Sequence, residues 1–299
     1  MEKQHFYSNG KLLLTAEYVV LDGASALAIP TKLGQSLDVV PKSEPGIHWT
    51  SLETNGQPWF QNTFSLELYD KHNDVLEKLV EILQTAKSFN PLFLSESHGW
   101  EVTTRLDFPQ HWGLGSSSTL INNIAQWAQI DAFKLLHASF GGSGYDIAAA
   151  QHDQPIIYSQ NDGIPTVKPI QLPWNFTDEL FFIHLNEKQD SKEGIAHYRA
   201  ASEAKKIDTN TFSSLTTQVS QAQDLKTFIT LMELHEQYIS EVIQLHPIKA
   251  RLFPNFNGLV KSLGAWGGDF VLASGDEEAR DYFRSKGYHT IIGFDDMIK

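Results

Sequence analysis

Trp112-Gly113-Leu114-Gly115-Ser116-Ser117-Ser118-Thr119 is the stretch of this 299-residue chain best suited to hold a phosphate. Two glycines permit a tight turn that exposes main-chain N–H groups, and three serines and a threonine add hydroxyls where a helix is expected to start. Behind them Leu120, Ile121, Ile124, Ala125 and Ala128 recur at helical spacing. A helix start gathers unpaired N–H donors and the positive end of the helix dipole, which together can seat an anion. The same residues also describe an ordinary serine-capped helix. No Gly-Lys-Ser/Thr follows the glycines, so the turn is not a Walker loop. Ser118 stands where the dinucleotide fingerprint needs its third glycine.

Other residues could do chemistry too. Gly141-Gly142-Ser143-Gly144-Tyr145-Asp146 leads into Ile147-Ala148-Ala149-Ala150, which makes Asp146 a capping or first-turn acid of another helix. Glu17 stands in an apolar context, where a carboxylate either faces water at a strand end or is paired at a site. Lys188 and Lys192 lie in the polar run Asn186–Lys192, either solvated or supplying positive charge to an anionic substrate. Twelve histidines invite a metal reading, but no His-Glu-x-x-His pairing occurs. His111, His137, His152, His184 and His235 are scattered singly, as packed or surface histidines are.

The elements that must position these groups can be read in order. Lys11–Leu14, Ala16–Leu21, Ala26–Pro30 and Leu37–Val40 read as strand segments, with Asp22-Gly23 as a turn. Asn55-Gly56 joins two arms of a β-hairpin within residues 43–69. Asn73-Asp74 caps a helix that buries Val75, Leu76, Leu79, Val80, Ile82 and Leu83. Trp100–Leu106 is the strand that delivers the glycine turn, and Glu179–Leu185 is the clearest later strand. From Lys192 to Leu245 the pattern is helical, with Leu225, Phe228, Ile229, Met232, Ile239, Val242 and Ile243 as a core stripe. Ser262–Asp269 is a second glycine-rich turn before strand Phe270–Ala273. A helix over 277–286 and a strand over Tyr288–Phe294 finish the chain.

Bulk properties bound the function. The chain is 41% hydrophobic and 20% charged, a globular profile, and has no cysteine, which excludes disulfides and thiolate chemistry. A formal charge of −13 argues against nucleic-acid or membrane-surface partners. No apolar run reaches the roughly 20 residues of a membrane helix, and Met1-Glu2-Lys3-Gln4-His5 is unlike a signal peptide, so a cytoplasmic protein is expected.

Gly-Leu-Gly-Ser-Ser at 113–117 resembles the phosphate loop of the GHMP kinases: galactokinase, homoserine, mevalonate and phosphomevalonate kinases. Two further stretches resemble that family's other motifs in the right order. Gly10–Gly23, with Lys11, Glu17, Tyr18 and Val19-Val20, is similar to the first motif, although Ala16 replaces its usual glycine. Ser262–Asp269 is similar to the third, with Trp266 and Asp269 where glycine is common. Ser143-Gly144-Tyr145-Asp146 most resembles the phosphomevalonate kinase form of the segment carrying the family's catalytic aspartate.

The resemblance implies an α+β, two-domain architecture, with a ribosomal-protein-S-five-like domain over 1–165 and a ferredoxin-like domain over 166–299. It implies transfer of the ATP γ-phosphate to a hydroxyl or phosphate oxygen of a small molecule, closest to mevalonate or phosphomevalonate, by a monomer or homodimer. Asp146 and Lys11 would be catalytic. Gly113, Leu114, Gly115, Ser116, Ser117, Ser118, Gly264, Gly267 and Gly268 would bind the nucleotide, and Ser117 would hold magnesium. Glu17, Tyr18, Ser143, Gly144, Lys188 and Ser191 would lie by the acceptor. In mevalonate-type members a glutamate on the loop helix binds magnesium; here Leu135 stands at that interval, and the nearest earlier carboxylate is Asp131. That departure, with Trp266 and Asp269, favours the alternative of a non-catalytic nucleotide- or metabolite-binding relative. A purely structural module is the third reading.

Overall fold

The computed structural model describes residues 2–95, 98–189, 191–202 and 207–299; Asp190, in the polar run before Ser191, lies outside them. In chain order the strands and helices are β1 (Gln4–Leu13), β2 (Ala26–Lys42), β3 (Ile47–Leu52), β4 (Pro58–Phe64), α1 (Asp74–Phe89), β5 (Gly99–Leu106), α2 (Ser116–Ala128), α3 (Ala132–Ser139), α4 (Tyr145–Ala150), β6 (Ile156–Asn161) and β7 (Ile164–Pro169). There follow β8 (Leu180–His184), α5 (Ser191–Ser202), α6 (Thr209–Ser220), α7 (Leu225–Ile243), α8 (Ile248–Leu252), β9 (Val260–Ser262), β10 (Phe270–Ser274), α9 (Glu277–Ser285), β11 (Ile291–Gly293) and α10 (Phe294–Met297). The fold class is mixed α+β, as the sequence implies.

Two compact units interleave along the chain. One comprises Met1–Gly10, Leu33–Gln110 and Leu114–Gln151; the other comprises Lys11–Lys32, His111–Gly113 and His152–Lys299. Residues 165 and 166, the expected border of two successive domains, lie inside β7, which is hydrogen-bonded along its length to β6.

In the first unit the strand order runs β4-β3-β5 to the later half of β2, with β3 and β5 parallel and the other pairs antiparallel. Helix α1 starts where Asn73 Oδ1 accepts the Leu76 N–H at 3.0 Å. Its Leu76, Leu79, Val80 and Leu83 then recur on one face and are buried with Val39, Trp49 and Val102 of the strands. Each such aliphatic side chain contributes roughly 1.5–3 kcal/mol by leaving water. Ile121, Ile124 and Ile147 bring α2 and α4 into the same core. The inner face of α2 is also tied down by polar bonds: Ser8 Oγ donates to Asn123 Oδ1 at 2.7 Å, and Thr119 Oγ1 donates to Gln35 Oε1 at 2.7 Å.

In the second unit the early part of β2 pairs with β6, and a separate antiparallel sheet has the order β11-β8-β10-β9. All five residues of β8 and of β10 are buried, which accounts for their continuous apolar runs. The expected strand over 288–294 is shorter, because Gly293 opens the short helix α10 with Asp295 and Asp296 in its first turn. Among the described residues, no helix is long and apolar enough to cross a membrane.

Candidate phosphate-binding site

Helix α2 begins directly behind the glycine turn. Gly113 (φ 68°) and Gly115 (φ 91°) both occupy the left-handed region that non-glycine residues avoid, and Gly115 caps the helix. The first-turn amides of Ser116, Ser117 and Ser118 have no intrahelical acceptor. The three hydroxyls do different things. Ser118 is buried and donates back to the Gly115 carbonyl at 2.9 Å, whereas Ser117 is exposed and Ser116 partly so. The turn therefore leaves three first-turn amides without an intrahelical acceptor beside one exposed hydroxyl.

Helix α4 lies in the same unit and packs on α2, with Gln151 Nε2 donating to Asn122 Oδ1 at 2.8 Å. Gly144 (φ 88°) caps α4, and Asp146 is half-buried in its first turn, where Oδ1 accepts the Ile147 N–H at 3.1 Å. Ser143 and Gly144 are buried at the start of that helix. Leu135 is wholly buried in α3, and Asp131 caps that helix by accepting from Phe133 N–H at 2.8 Å.

The second unit holds the residues around Gly113. Lys11, near the end of β1, donates from Nζ to the Gly113 carbonyl at 3.0 Å. Asp269 presses its carboxyl against the other side of Gly113, so that a β-carbon built there would fall 2.3 Å from Asp269 Cγ. Burial raises the Asp269 carboxyl above the ordinary aspartate range, and the charges of Lys11, His184 and Lys188 only partly offset it. Trp112 packs edge-on against Phe270, ring centroids 5.4 Å apart, and lies beside His184. Burial is also what lowers the His184 pKa.

The glycine-rich turn at Ser262–Asp269 sits on the Asn186–Gln189 loop. A β-carbon on Gly267 would fall 1.7 Å from Gln189 Oε1, and one on Gly268 would fall 2.3 Å from the Glu187 carbonyl oxygen. Backbone approach requires glycine at 268, whereas at 267 the Gln189 side chain would have to move aside, and Gly264 (φ 57°) is favoured by backbone conformation. Lys188 and Ser191 are exposed next to this contact. Trp266 turns its indole inward: it is 1% exposed, and Lys261 Nζ lies 5.5 Å from its ring.

Glu17 and Tyr18 follow a sharply bent backbone, with Ala16 at φ 59° and Tyr18 at φ 66°. Tyr18 stacks on Tyr198 of α5 with ring centroids 5.4 Å apart, and its hydroxyl lies against Gly194. The Glu17 carboxylate, expected near the acceptor, is fully enclosed in a cluster that includes Lys261, Glu236 and His235. Lys261 Nζ reaches Glu17 Oε1 at 2.5 Å and Glu236 Oε2 at 3.1 Å. His235 Nε2 accepts the Ala16 N–H at 2.7 Å, which fixes the ring as the neutral Nδ1–H tautomer. Burial raises Glu17 to about 7 against the pull of Lys261. Burial would lower Lys261, but Glu17 and Glu236 outweigh it and hold the ammonium above its usual value. Burial and the adjacent Lys261 charge hold His235 well below the ordinary histidine value.

Sequence reading singled out neither Lys261 nor Glu236. The available signal was a lysine between Val260 and Ser262 just before a glycine-rich turn, the counterpart of Glu17 in its apolar surroundings. Among the described residues, no group of three or more histidines or carboxylates is placed to hold a metal ion.

No protein-family model and no curated protein matches the sequence. Solved structures do match the fold over nearly the whole chain. Mevalonate kinase of L. major, in complex with R-mevalonate, is similar at TM-score 0.69 and 15% identity, covering 97% of this chain and 94% of that one. Streptococcus pneumoniae phosphomevalonate kinase, in complex with phosphomevalonate and AMPPNP, is similar at TM-score 0.70 and 14% identity, covering 96% of each chain. Mevalonate diphosphate decarboxylase from Staphylococcus aureus is similar at TM-score 0.65 and 12% identity, covering 97% of this chain and 94% of that one.

Proposed function

We propose that this chain, whose fold is that of the GHMP kinases, is an ATP-dependent small-molecule kinase most like mevalonate or phosphomevalonate kinase. The observation that carries this reading is the Lys11 ammonium held 3.0 Å from the carbonyl of Gly113, where the glycine turn begins. A cation beside a helix start with unpaired amides is what a polyphosphate needs. The solved neighbour in complex with phosphomevalonate and AMPPNP supports a nucleoside triphosphate as donor.

In this mechanism the amides of residues 113–118 cradle the phosphates, assisted by the Ser116 and Ser117 hydroxyls. Gly264, Gly267 and Gly268 shape the turn that covers the nucleotide, and Lys11 neutralises charge developing on the transferred group. Asp146 orients the acceptor, and where that acceptor is a hydroxyl it takes the proton as the new O–P bond forms. The bond from the γ-phosphorus to the bridging oxygen breaks, and ADP leaves. Tyr18, Ser143, Gly144, Lys188 and Ser191 line the acceptor side, while Glu17 acts from beneath by fixing the loop that carries Tyr18.

Magnesium would be held by the exposed Ser117 hydroxyl, an oxygen ligand suited to a hard cation, together with the substrate phosphates. When bound, it neutralises charge on the phosphates and the leaving oxygen.

The test is ADP release with phosphomevalonate, mevalonate, homoserine and galactose as acceptors. Turnover with one of them, lowered about 10²- to 10⁴-fold by Asp146→Asn, is the expected result. Nucleotide binding without turnover on any acceptor supports the second reading, a non-catalytic binder, which the buried Leu135 in place of a magnesium carboxylate favours.

A further inference from the structure

The carboxylate against the glycine turn is out of place in a simple anion site. Lys11 and Asp269 meet at the same residue: the ammonium bonds the Gly113 carbonyl at 3.0 Å, and the carboxyl fills the space where a Gly113 side chain would stand. Asp269 is not free to swing away with its backbone. Its N–H donates to the Glu187 carbonyl at 2.6 Å, and its own carbonyl accepts the Leu185 N–H at 2.8 Å. It also keeps a left-handed φ of 54°, a conformation tolerated best by glycine, asparagine and aspartate. The side chain is partly exposed, and its carboxylate accepts one long hydrogen bond within the protein, from Gln189 N–H at 3.4 Å, which leaves lone pairs open to a ligand.

A bare polyphosphate seated on this turn gains the Lys11 attraction and suffers the Asp269 repulsion together. A phosphate that brings a divalent cation meets a different site. Magnesium is typically held by one or two carboxylates plus substrate phosphates, with water completing its shell, so a single accessible carboxylate beside the phosphate seat is the right complement. We propose that Asp269 makes the seat at Gly113 and Lys11 selective for nucleotide carrying a divalent cation, repelling the bare polyphosphate and meeting the cation of the complexed one. This rests on the phosphate-seat reading above and adds to it a residue that decides which charge state of the nucleotide is accepted.

The experiment is calorimetric titration of the full chain with ADP, in EDTA and in magnesium, for wild type, Asp269→Asn and Asp269→Gly. Both substitutions suit the left-handed backbone, so both variants should keep the wild-type unfolding midpoint to within a few degrees. Wild type is expected to bind ADP at least tenfold more tightly with magnesium. In both variants metal-free ADP should bind about tenfold more tightly than in wild type, shrinking the magnesium advantage to a fewfold. An unchanged magnesium advantage in both variants, or metal-free binding that fails to tighten, overturns the role of Asp269 while leaving the phosphate seat standing. Absence of ADP binding by all three proteins under both conditions overturns the seat and this proposal with it.

Discussion

Lys261 Nζ stands 2.5 Å from Glu17 Oε1, and neither side chain reaches solvent. The pair joins the bent loop at residues 16–18 to β9, the strand that leads into the glycine-rich turn at Ser262–Asp269. A buried charge without its partner is costly, since desolvation is no longer offset by Coulomb attraction. Lys261→Met should therefore destabilise the fold by about 3–5 kcal/mol, read from the midpoint of denaturant unfolding. Adding Glu17→Gln should recover part of that loss; a double variant no more stable than the single one counts against the pairing.

Glu17 gives a pH dependence of definite sign. Its folded pKa is raised from 4.5 to about 7. Below 4.5 both states are protonated and nothing is lost. Between 4.5 and 7 the unfolded chain releases the proton while the folded chain keeps it, so stability falls as pH rises across that window and levels off above it. The expected loss is up to about 3 kcal/mol. Glu17→Gln should abolish this component in unfolding curves recorded from pH 4.5 to 8.

His235 acts in the opposite direction. Its folded pKa lies well below 6.5, so its contribution is fully present above 6.5 and is lost as pH falls below it, by about 1.4 kcal/mol per pH unit. Its Nε2 is already engaged by the Ala16 N–H, so protonation at that atom also breaks this bond. His235→Gln should flatten the acid limb between pH 6.5 and 5. Glu17 and His235 oppose each other there, so only the single variants, not the wild-type curve, separate them.

Gly113→Ala should cost more than its left-handed φ alone. The conformation accounts for about 1–2 kcal/mol, and the overlap with Asp269 adds to it. Asp269→Gly in the same chain should remove the overlap but not the backbone cost. A double-mutant cycle on thermal midpoints checks this, and simple additivity would mean that the two residues do not touch.

The features legible in the sequence were those written in neighbouring residues. Asn73 before an apolar 3.6-residue repeat gave α1, Asn55-Gly56 gave the β3–β4 hairpin, and the glycines before Ser116 gave the start of α2. Asp146 falls in the first turn of α4 as its Ser-Gly context implied. What could not be read locally was set by partners distant in the chain. Glu17 looked the same whether solvated or paired until Lys261, 244 residues away, stood against it. The short β11 was equally hidden, since apolar Ile291 and Ile292 continue into Phe294 and only the turn at Gly293 ends the strand. Trp266 read as a bulky intruder in a glycine turn, and its inward rotation onto Lys261 is a matter of packing that spacing does not encode.

The span of the Glu17–Lys261 and Ala16–His235 contacts also bears on how the molecule is made. During synthesis the Gly10–Gly23 motif emerges well before its partners, since its counter-charge and its imidazole acceptor are 244 and 219 residues behind it. A nascent chain can assemble α1 and its strands early, but the loop that presents Tyr18 must wait for β9 to be made. A message truncated before that strand would thus yield a product whose first motif is unfinished.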